Sequence, residues 1–401
     1  MKRLSAAKTT RRDLLYQFAF GAAAFGASAA VPRDAFAFPS FAVDLAPTET
    51  SWASYRATPD QRGVAGCKLA DQPALKWEFA SPDGWIAGVA IVGEHVYAPA
   101  LAGFVHCINL ETGKEVWKYR SIDDPDPKKF AAGFKAAPLV TALTVYIGDE
   151  DGVLHAIDRA TGEKRWIFAT GAEIAGCVAQ FGEHLLLASH DSNLYCLTTD
   201  GKEVWKFATN DRINCSPGIS DTFTFVAGCD EHLRVIDLKE GKEFRDMPLD
   251  SPLIGSPAVV GDLLYVGTHT GQIVCANWRK GEFLWKYDAP RKQPFHASAA
   301  VTDALVIVGG HDKNVHAVDR ETGKAKWMFP TRARVESSGA VVDERVFIGS
   351  GDGNLYGISL TTGLEVWKFN AGKGISAGVA IGEGFMIVGE DQQGGRLLCF
   401  H

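Results

Sequence analysis

One eleven-residue pattern constrains this chain more than any other feature. It is a short apolar run, a polar turn closed by glycine, and a strand that ends in tryptophan. It reads CINLETGKEVW at Cys107–Trp117 and returns as AIDRATGEKRW at Ala156–Trp166, CANWRKGEFLW at Cys275–Trp285, AVDRETGKAKW at Ala317–Trp327 and GISLTTGLEVW at Gly357–Trp367. Cys196–Trp205 is one residue shorter, Val235–Arg245 has Arg in the tryptophan place, and the lone stretch ALKWEF at Ala74–Phe79 carries the same final strand at Trp77. The closing positions fall at 77, 117, 166, 205, 245, 285, 327 and 367, a period close to 40 with one step of 49. A strand-and-turn unit of that length must stack on copies of itself to bury its apolar face, which means a propeller or an array.

Each unit reads as four strands. In one copy they are residues 297–301, 304–308, 315–319 and 325–329, separated by polar turns at 311–314 and 321–324. Short apolar runs bounded by Asp, Asn and Gly are the mark of antiparallel meanders. Seven full units lie between Trp85 and Asn370, and an eighth has only three strands, at 376–381, 385–389 and 396–400. An open ring would leave an unpaired edge at each end, and closure removes both. The expectation is therefore an all-β, eight-bladed β-propeller of four-stranded antiparallel blades, closed by the N-terminal strand Leu75–Phe79 joining the C-terminal blade. The tryptophan fills the gap between blades and offers its N–H to a backbone acceptor. The turn glycine supplies positive φ and lets the ring come close. Arg245 interrupts this, so the outer contact of the fourth blade is expected to differ.

At 401 residues with 46% hydrophobic content the chain can fill a large core, and one repetitive domain at 71–401 accounts for it. The net charge of −7 speaks against nucleic acid as a partner. Residues 1–37 read as an export signal: basic Lys2, Arg3, Lys8, Arg11 and Arg12, an apolar stretch at 14–30, and an A-x-A cleavage site ending at Ala37. TRRDLL at Thr10–Leu15 resembles the twin-arginine signal, with Tyr16 in place of the usual Lys. No cysteine follows at a lipobox position. The expectation is a periplasmic or otherwise extracytoplasmic protein without a lipid anchor, with no membrane span in the mature chain and a monomeric state. Residues 38–70 read as an arm lying on the propeller. Eight cysteines in an exported chain could pair. Cys107, Cys196 and Cys275 instead stand where other repeats have Ala156, Ala317 and Gly357, the slot of a small buried hydrophobe. Cys399 reads the same way, and Cys177 and Cys215 read as buried thiols near one end of the ring.

Repeats with an A-x-D start and a T-G-x-x-x-W end resemble the PQQ-like propeller repeat, found in quinoprotein alcohol dehydrogenases and in the outer-membrane barrel-assembly lipoprotein. The resemblance covers roughly residues 70–401. It implies the fold strongly and the function weakly, because most bearers of the repeat bind no quinone. The chain departs from the quinoprotein pattern. It has no adjacent Cys-Cys pair, no C-x-x-C-H haem site and a shorter length, and no cluster of oxygen ligands for calcium is evident. The reading is a non-catalytic scaffold that binds a protein or peptide partner in the cell envelope, with no cofactor expected. The alternative is a quinoprotein-like oxidoreductase or a cofactor or metal binder that uses the channel mouth, with PQQ and calcium as its cofactors.

In a propeller, the loops entering each blade and the turns after each second strand gather around one mouth of the channel, where ligands bind. The entering loops supply Lys135, Arg212, His296, Arg332, Arg334 and Glu336 as ligand-binding candidates. The basic members suit a carboxylate or phosphate, or else pair with Glu173 and Glu336. The turns supply His190, Cys229, His269 and His311 as metal candidates. Equivalent turns stand about 10 Å apart, whereas a zinc site holds every ligand within about 2.3 Å. Two neighbours can therefore meet, and four cannot. The Asp-x-Asn turns at Asp191, Asp312 and Asp352 read as hairpin turns rather than calcium loops. The long step inserts DDPDPKKFAAGFK between Ser121 and Lys135, beside the same mouth, as either a contact loop or a tolerated insertion.

Overall fold

The computed structural model describes residues 46–126 and 128–401, and the export segment read at 1–37 lies outside them. The described residues form eight four-stranded antiparallel sheets. Each sheet is a blade, and in the first seven the four strands run in chain order from the axis outward. The first blade is Ala90–Val92, His95–Ala100, Phe104–Asn109 and Glu115–Arg120. The seventh is Ala340–Val342, Arg345–Gly349, Asn354–Ser359 and Glu365–Asn370. The eighth takes Ala380–Gly382, Phe385–Gly389 and Arg396–Phe400 from the C-terminus and its outermost strand, Leu75–Ala80, from the N-terminus. Trp77 pairs with Cys399 and Ala80 with Arg396, so the expected closure is the observed one.

The repeat pattern is visible as a ring of identical clasps. The indole N–H of Trp77 donates to Leu110 O at 2.8 Å, Trp117 to Arg159 O at 3.1 Å, and Trp166 to Thr199 O at 3.2 Å. Trp205 donates to Leu238 O, Trp285 to Arg320 O, Trp327 to Leu360 O and Trp367 to Pro73 O. Six of the seven rings, all but that of Trp367, lie against the turn glycine of the next blade. A Cβ on Gly323 (φ +68°) would sit 2.6 Å from the Trp285 ring. Positive φ and that contact together make glycine obligatory there. Arg245 departs from the expectation in an instructive way. Its Nη2 donates to Arg279 O at 2.8 Å, the carbonyl equivalent to the tryptophan acceptors, and its stem lies on Gly281. The fourth blade thus changes the side chain but keeps the bond.

Burial follows the slots read from the repeats. Cys107, Cys196, Cys275 and Cys399 are buried and unpaired, and burial pushes the Cys196 and Cys275 thiols up to about 11. Cys177 and Cys215 are free thiols as well.

Residues 50–65 wind once around the axis on the face where the innermost strands end. Thr50 O accepts from Glu383 N in blade 8, Trp52 exchanges both backbone bonds with Ile91 in blade 1, and Ala53 O accepts from Val140 N in blade 2. Pro59, Asp60, Arg62 and Gly63 then offer their carbonyls to Ile219, Val259, Val301 and Val341 of blades 4 to 7. Over blade 3 the segment stands off, leaving a cavity of about 330 Å³ lined by Ala53, Tyr55, Pro59, Cys177 and Gln180. Left-handed φ at Arg56, Ala57, Gln61 and Gly63 coils the chain tightly enough to make this circuit. The same segment fills the axis. The Tyr55 ring packs on Ala136, Ala137 and Cys177 of blades 2 and 3. Its hydroxyl meets Ser298 Oγ at 2.8 Å and Ser338 Oγ at 3.4 Å on blades 6 and 7, across the ring. Arg56, 2% exposed, donates to Gly339 O and Ala299 O, and burial lowers its pKa to about 10.

Candidate functional site at the channel mouth

Every innermost strand is preceded by a loop whose buried middle residue (Trp85, Phe134, Ile174, Ile213, Leu253, Phe295, Val335, Ile375) anchors it in the core. Lys135, Asn214, His296 and Glu336 each follow this anchor directly, which puts them in register. The turn after the second strand is fastened to the same loop by a backbone bond: His190 N to Glu173 O, Cys229 N to Arg212 O, His269 N to Pro252 O, His311 N to Pro294 O and Gly351 N to Arg334 O. The turn and the entering loop of one blade are thereby held close together.

Below the mouth lies a girdle of side-chain acceptors. Ala137 N donates to Cys177 Sγ, Cys177 N to Ser216 Oγ, Ser216 N to Ser256 Oγ, Ser256 N to Ser298 Oγ and Ser298 N to Ser338 Oγ, at 2.8–3.1 Å. Blades 2 to 7 are thus tied one to the next beside the axis, and Tyr55 caps the tie at Ser298 and Ser338. The four serines recur at the repeat spacing, so the pattern was available in the sequence, although the sequence reading passed over it.

The mouth has two unlike flanks. On one, Lys135 Nζ sits 2.8 Å from Glu150 Oε1 and 3.2 Å from Glu173 Oε1. Burial works against the ammonium charge, but the two carboxylates outweigh it and raise the lysine pKa. His190 Nδ1 lies 3.7 Å from Glu173, and desolvation lowers its pKa, with the Arg212 charge adding to that effect. Cys229 Sγ accepts a hydrogen bond from Asn214 Nδ2 at 3.1 Å.

On the other flank, His269, His296, His311, Glu336 and Arg334 form one contiguous chain. His269 Nδ1 is 3.0 Å from His296 Nε2, and the His296 and His311 ring centroids are 4.2 Å apart. His311 Nε2 lies 3.1 Å from Glu336 Oε1, and Arg334 Nε lies 3.3 Å from Glu336 Oε2. Desolvation, reinforced by His311, His269 and Arg334, lowers the His296 pKa to about 4, so this imidazole is neutral at ordinary pH.

The candidates therefore divide. The four turn residues do not converge, as their spacing required. His190 and Cys229 stand on one flank and His269 and His311 on the other. His296, from the intervening loop, is what joins the latter two, and turn spacing alone gave no sign of that. Arg332 is exposed, and its backbone N–H donates to Asp352 Oδ2 at 2.9 Å. The Asp-x-Asn carboxylates are engaged inside the protein. Tyr195 and Tyr356 hydroxyls donate to Asp191 and Asp352, and His316 is bonded to Asp312, as hairpin turns require.

The insertion between Ser121 and Lys135 is fastened at its base. The Arg120 guanidinium donates to the carbonyls of Asp124, of Asp126 at 2.9 Å and of Lys129 at 2.7 Å. At its crest Phe130 is 76% exposed.

A family model described as outer membrane protein assembly factor BamB matches residues 68–181, 150–244 and 245–370. Outer membrane protein assembly factor BamB of Burkholderia pseudomallei (strain K96243) is 23% identical over 253 residues, 48% of this chain. The match spans 65% of that relative's length. Among solved structures, BamB from Moraxella catarrhalis superposes with a TM-score of 0.68 at 17% identity, covering 82% of this chain and 97% of that one. Quinohemoprotein alcohol dehydrogenase from Comamonas testosteroni superposes with a TM-score of 0.73 at 14% identity, covering 88% and 80%. At these identities the two structures speak for the fold alone.

Proposed function

The chain belongs to the family described as outer membrane protein assembly factor BamB, and on that premise we propose that it is an exported, non-catalytic propeller scaffold that binds a protein or peptide partner in the cell envelope. The observation that carries this reading is the filled axis. Tyr55 spans the ring from blades 2 and 3 to blades 6 and 7, so the channel is packed with the chain's own side chains rather than left as a slot for a ligand. What remains for recognition is surface: the charged mouth, and the insertion with its exposed Phe130 beside it. A large apolar side chain held on a fastened loop is the kind of anchor that protein interfaces bury. Export through the twin-arginine signal at residues 1–37, cleavage near Ala37 and a periplasmic site belong to the same proposal.

The residues do not fit PQQ with calcium. PQQ is a flat polyanion, and two of the cations at the mouth, Lys135 and Arg334, are already paired with Glu150, Glu173 and Glu336. The cavity that Arg334 and Glu336 line is about 170 Å³, against about 300–1,000 Å³ for ordinary cofactor pockets.

The test is site-specific photo-crosslinking in cells. A photoreactive residue at position 130 is expected to trap one envelope protein, and one on the exposed outer face at Val204 is not. Phe130→Ala is expected to weaken that complex about tenfold or more without changing the melting temperature. PQQ with calcium is expected to leave the melting temperature unmoved. A rise of several degrees, lost in Arg332→Ala and Arg334→Ala, would overturn the reading.

A further inference from the structure

We propose that the mouth holds a divalent transition-metal ion of the zinc class through His296, His311 and Glu336, with His269 alongside the site. The three residues come from the loop entering blade 6, the turn within blade 6 and the loop entering blade 7. One donor atom from each lies within 4.8 Å of the other two. A tetrahedral ion with bonds of about 2.0–2.1 Å sets its donors about 3.3 Å apart. His311 Nε2 and Glu336 Oε1, at 3.1 Å, are nearly there already. His269 Nδ1, 3.0 Å from His296 Nε2, is the neighbour able to complete or brace the set.

A second observation points the same way. His311 Nε2 is buried and makes no directed hydrogen bond, although a carboxylate oxygen stands 3.1 Å away. If His311 carries its proton on Nδ1, the Nε2 lone pair faces the carboxylate, an arrangement that a cation between them would stabilise. The opposite flank sets a cation of the chain's own between its two carboxylates. There the ammonium of Lys135 lies between Glu150 and Glu173, close to His190. The His296 flank has acceptors of the same kind, and Arg334, 63% exposed, touches the far oxygen of Glu336. Arg334 then acts as an outer partner that orients the carboxylate.

The donor set selects the class of ion. Two or three imidazoles with one carboxylate suit zinc, nickel, copper or cobalt, whereas calcium and magnesium prefer sets made entirely of oxygen. The side chains of His311 and Glu336 are 17% and 26% exposed, so an ion reaches them from the open mouth.

The experiment uses untagged protein stripped with chelator, titrated with Zn(II) by calorimetry and with Co(II) by visible absorbance. About one equivalent of zinc is expected to bind, with micromolar or tighter affinity, and cobalt is expected to give intense bands of low coordination number. His296→Ala and Glu336→Gln are each expected to weaken zinc binding about 100-fold, and His269→Ala about tenfold, with metal-free melting unchanged. Absence of stoichiometric zinc binding would overturn the proposal, as would binding that survives in the His296→Ala/His311→Ala double variant or a preference for calcium. This inference stands independently of which partner the scaffold binds.

Discussion

Arg396→Ala is expected to destabilise the protein by about 3 kcal/mol, more than any other single exposed-edge substitution. Arg396 lies on the last strand of the chain and is the clasp of the ring. Its Nη1 meets Glu78 Oε1 at 2.7 Å on the N-terminal strand. Its Nε and Nη2 hold both oxygens of Glu390 at 3.0 and 2.7 Å. Glu390 is fully buried, and those bonds hold its guanidinium partner charged well beyond the ordinary arginine range. Truncation strands a buried carboxylate, which is why the cost exceeds that of a surface ion pair. Arg396 itself is one-third exposed, which places the effect at the low end for a broken buried pair. Denaturant unfolding measures it. Adding Glu390→Gln should recover part of the loss, because a neutral amide is cheaper to leave behind than a charge.

Tyr55→Ala is expected to cost about 2–3 kcal/mol and to join the 330 Å³ cavity over blade 3 to the centre of the ring. The ring of Tyr55 packs on Ala136, Ala137 and Cys177 while its hydroxyl reaches Ser298 across the ring, so truncation removes the bridge between opposite blades. Tyr55→Phe keeps the packing and loses only the hydroxyl contacts with Ser298 and Ser338, so it should cost about 1 kcal/mol. Thermal and denaturant unfolding of the two variants separates filling from hydrogen bonding. If Tyr55→Ala melted like the parent, the aromatic ring would not be what closes the axis.

How much was legible in advance follows from where each feature's physics resides. The blades were legible because the strand, turn and tryptophan clasp are local and recur with a period near 40. Ring closure was legible because unpaired edges are costly and one orphan strand matched one incomplete blade. Arg245 shows the limit of reading identity alone. A missing indole predicted a different contact, yet a guanidinium can donate to the same carbonyl. At the mouth, register placed the candidates on one face, but the joining role of His296 depends on how a loop of one blade leans on the turn of its neighbour. Residues 50–65 carry no periodicity. Their circuit is built from backbone bonds to the inner edges of seven blades, which no residue type announces.

Hydrogen exchange at residues 50–65 and at the strand edges they cover tests the central claim most directly. The claim is that the chain's own segment occupies the axis and leaves this propeller to act through its surface. The amides of Trp52 and Ala65, and of Ile91, Val140, Ile219, Val259, Val301 and Val341, all bond across that junction. The account predicts that they exchange as slowly as the blade cores. Exchange at the rate of an open loop would mean that the axis is not filled, and would contradict it.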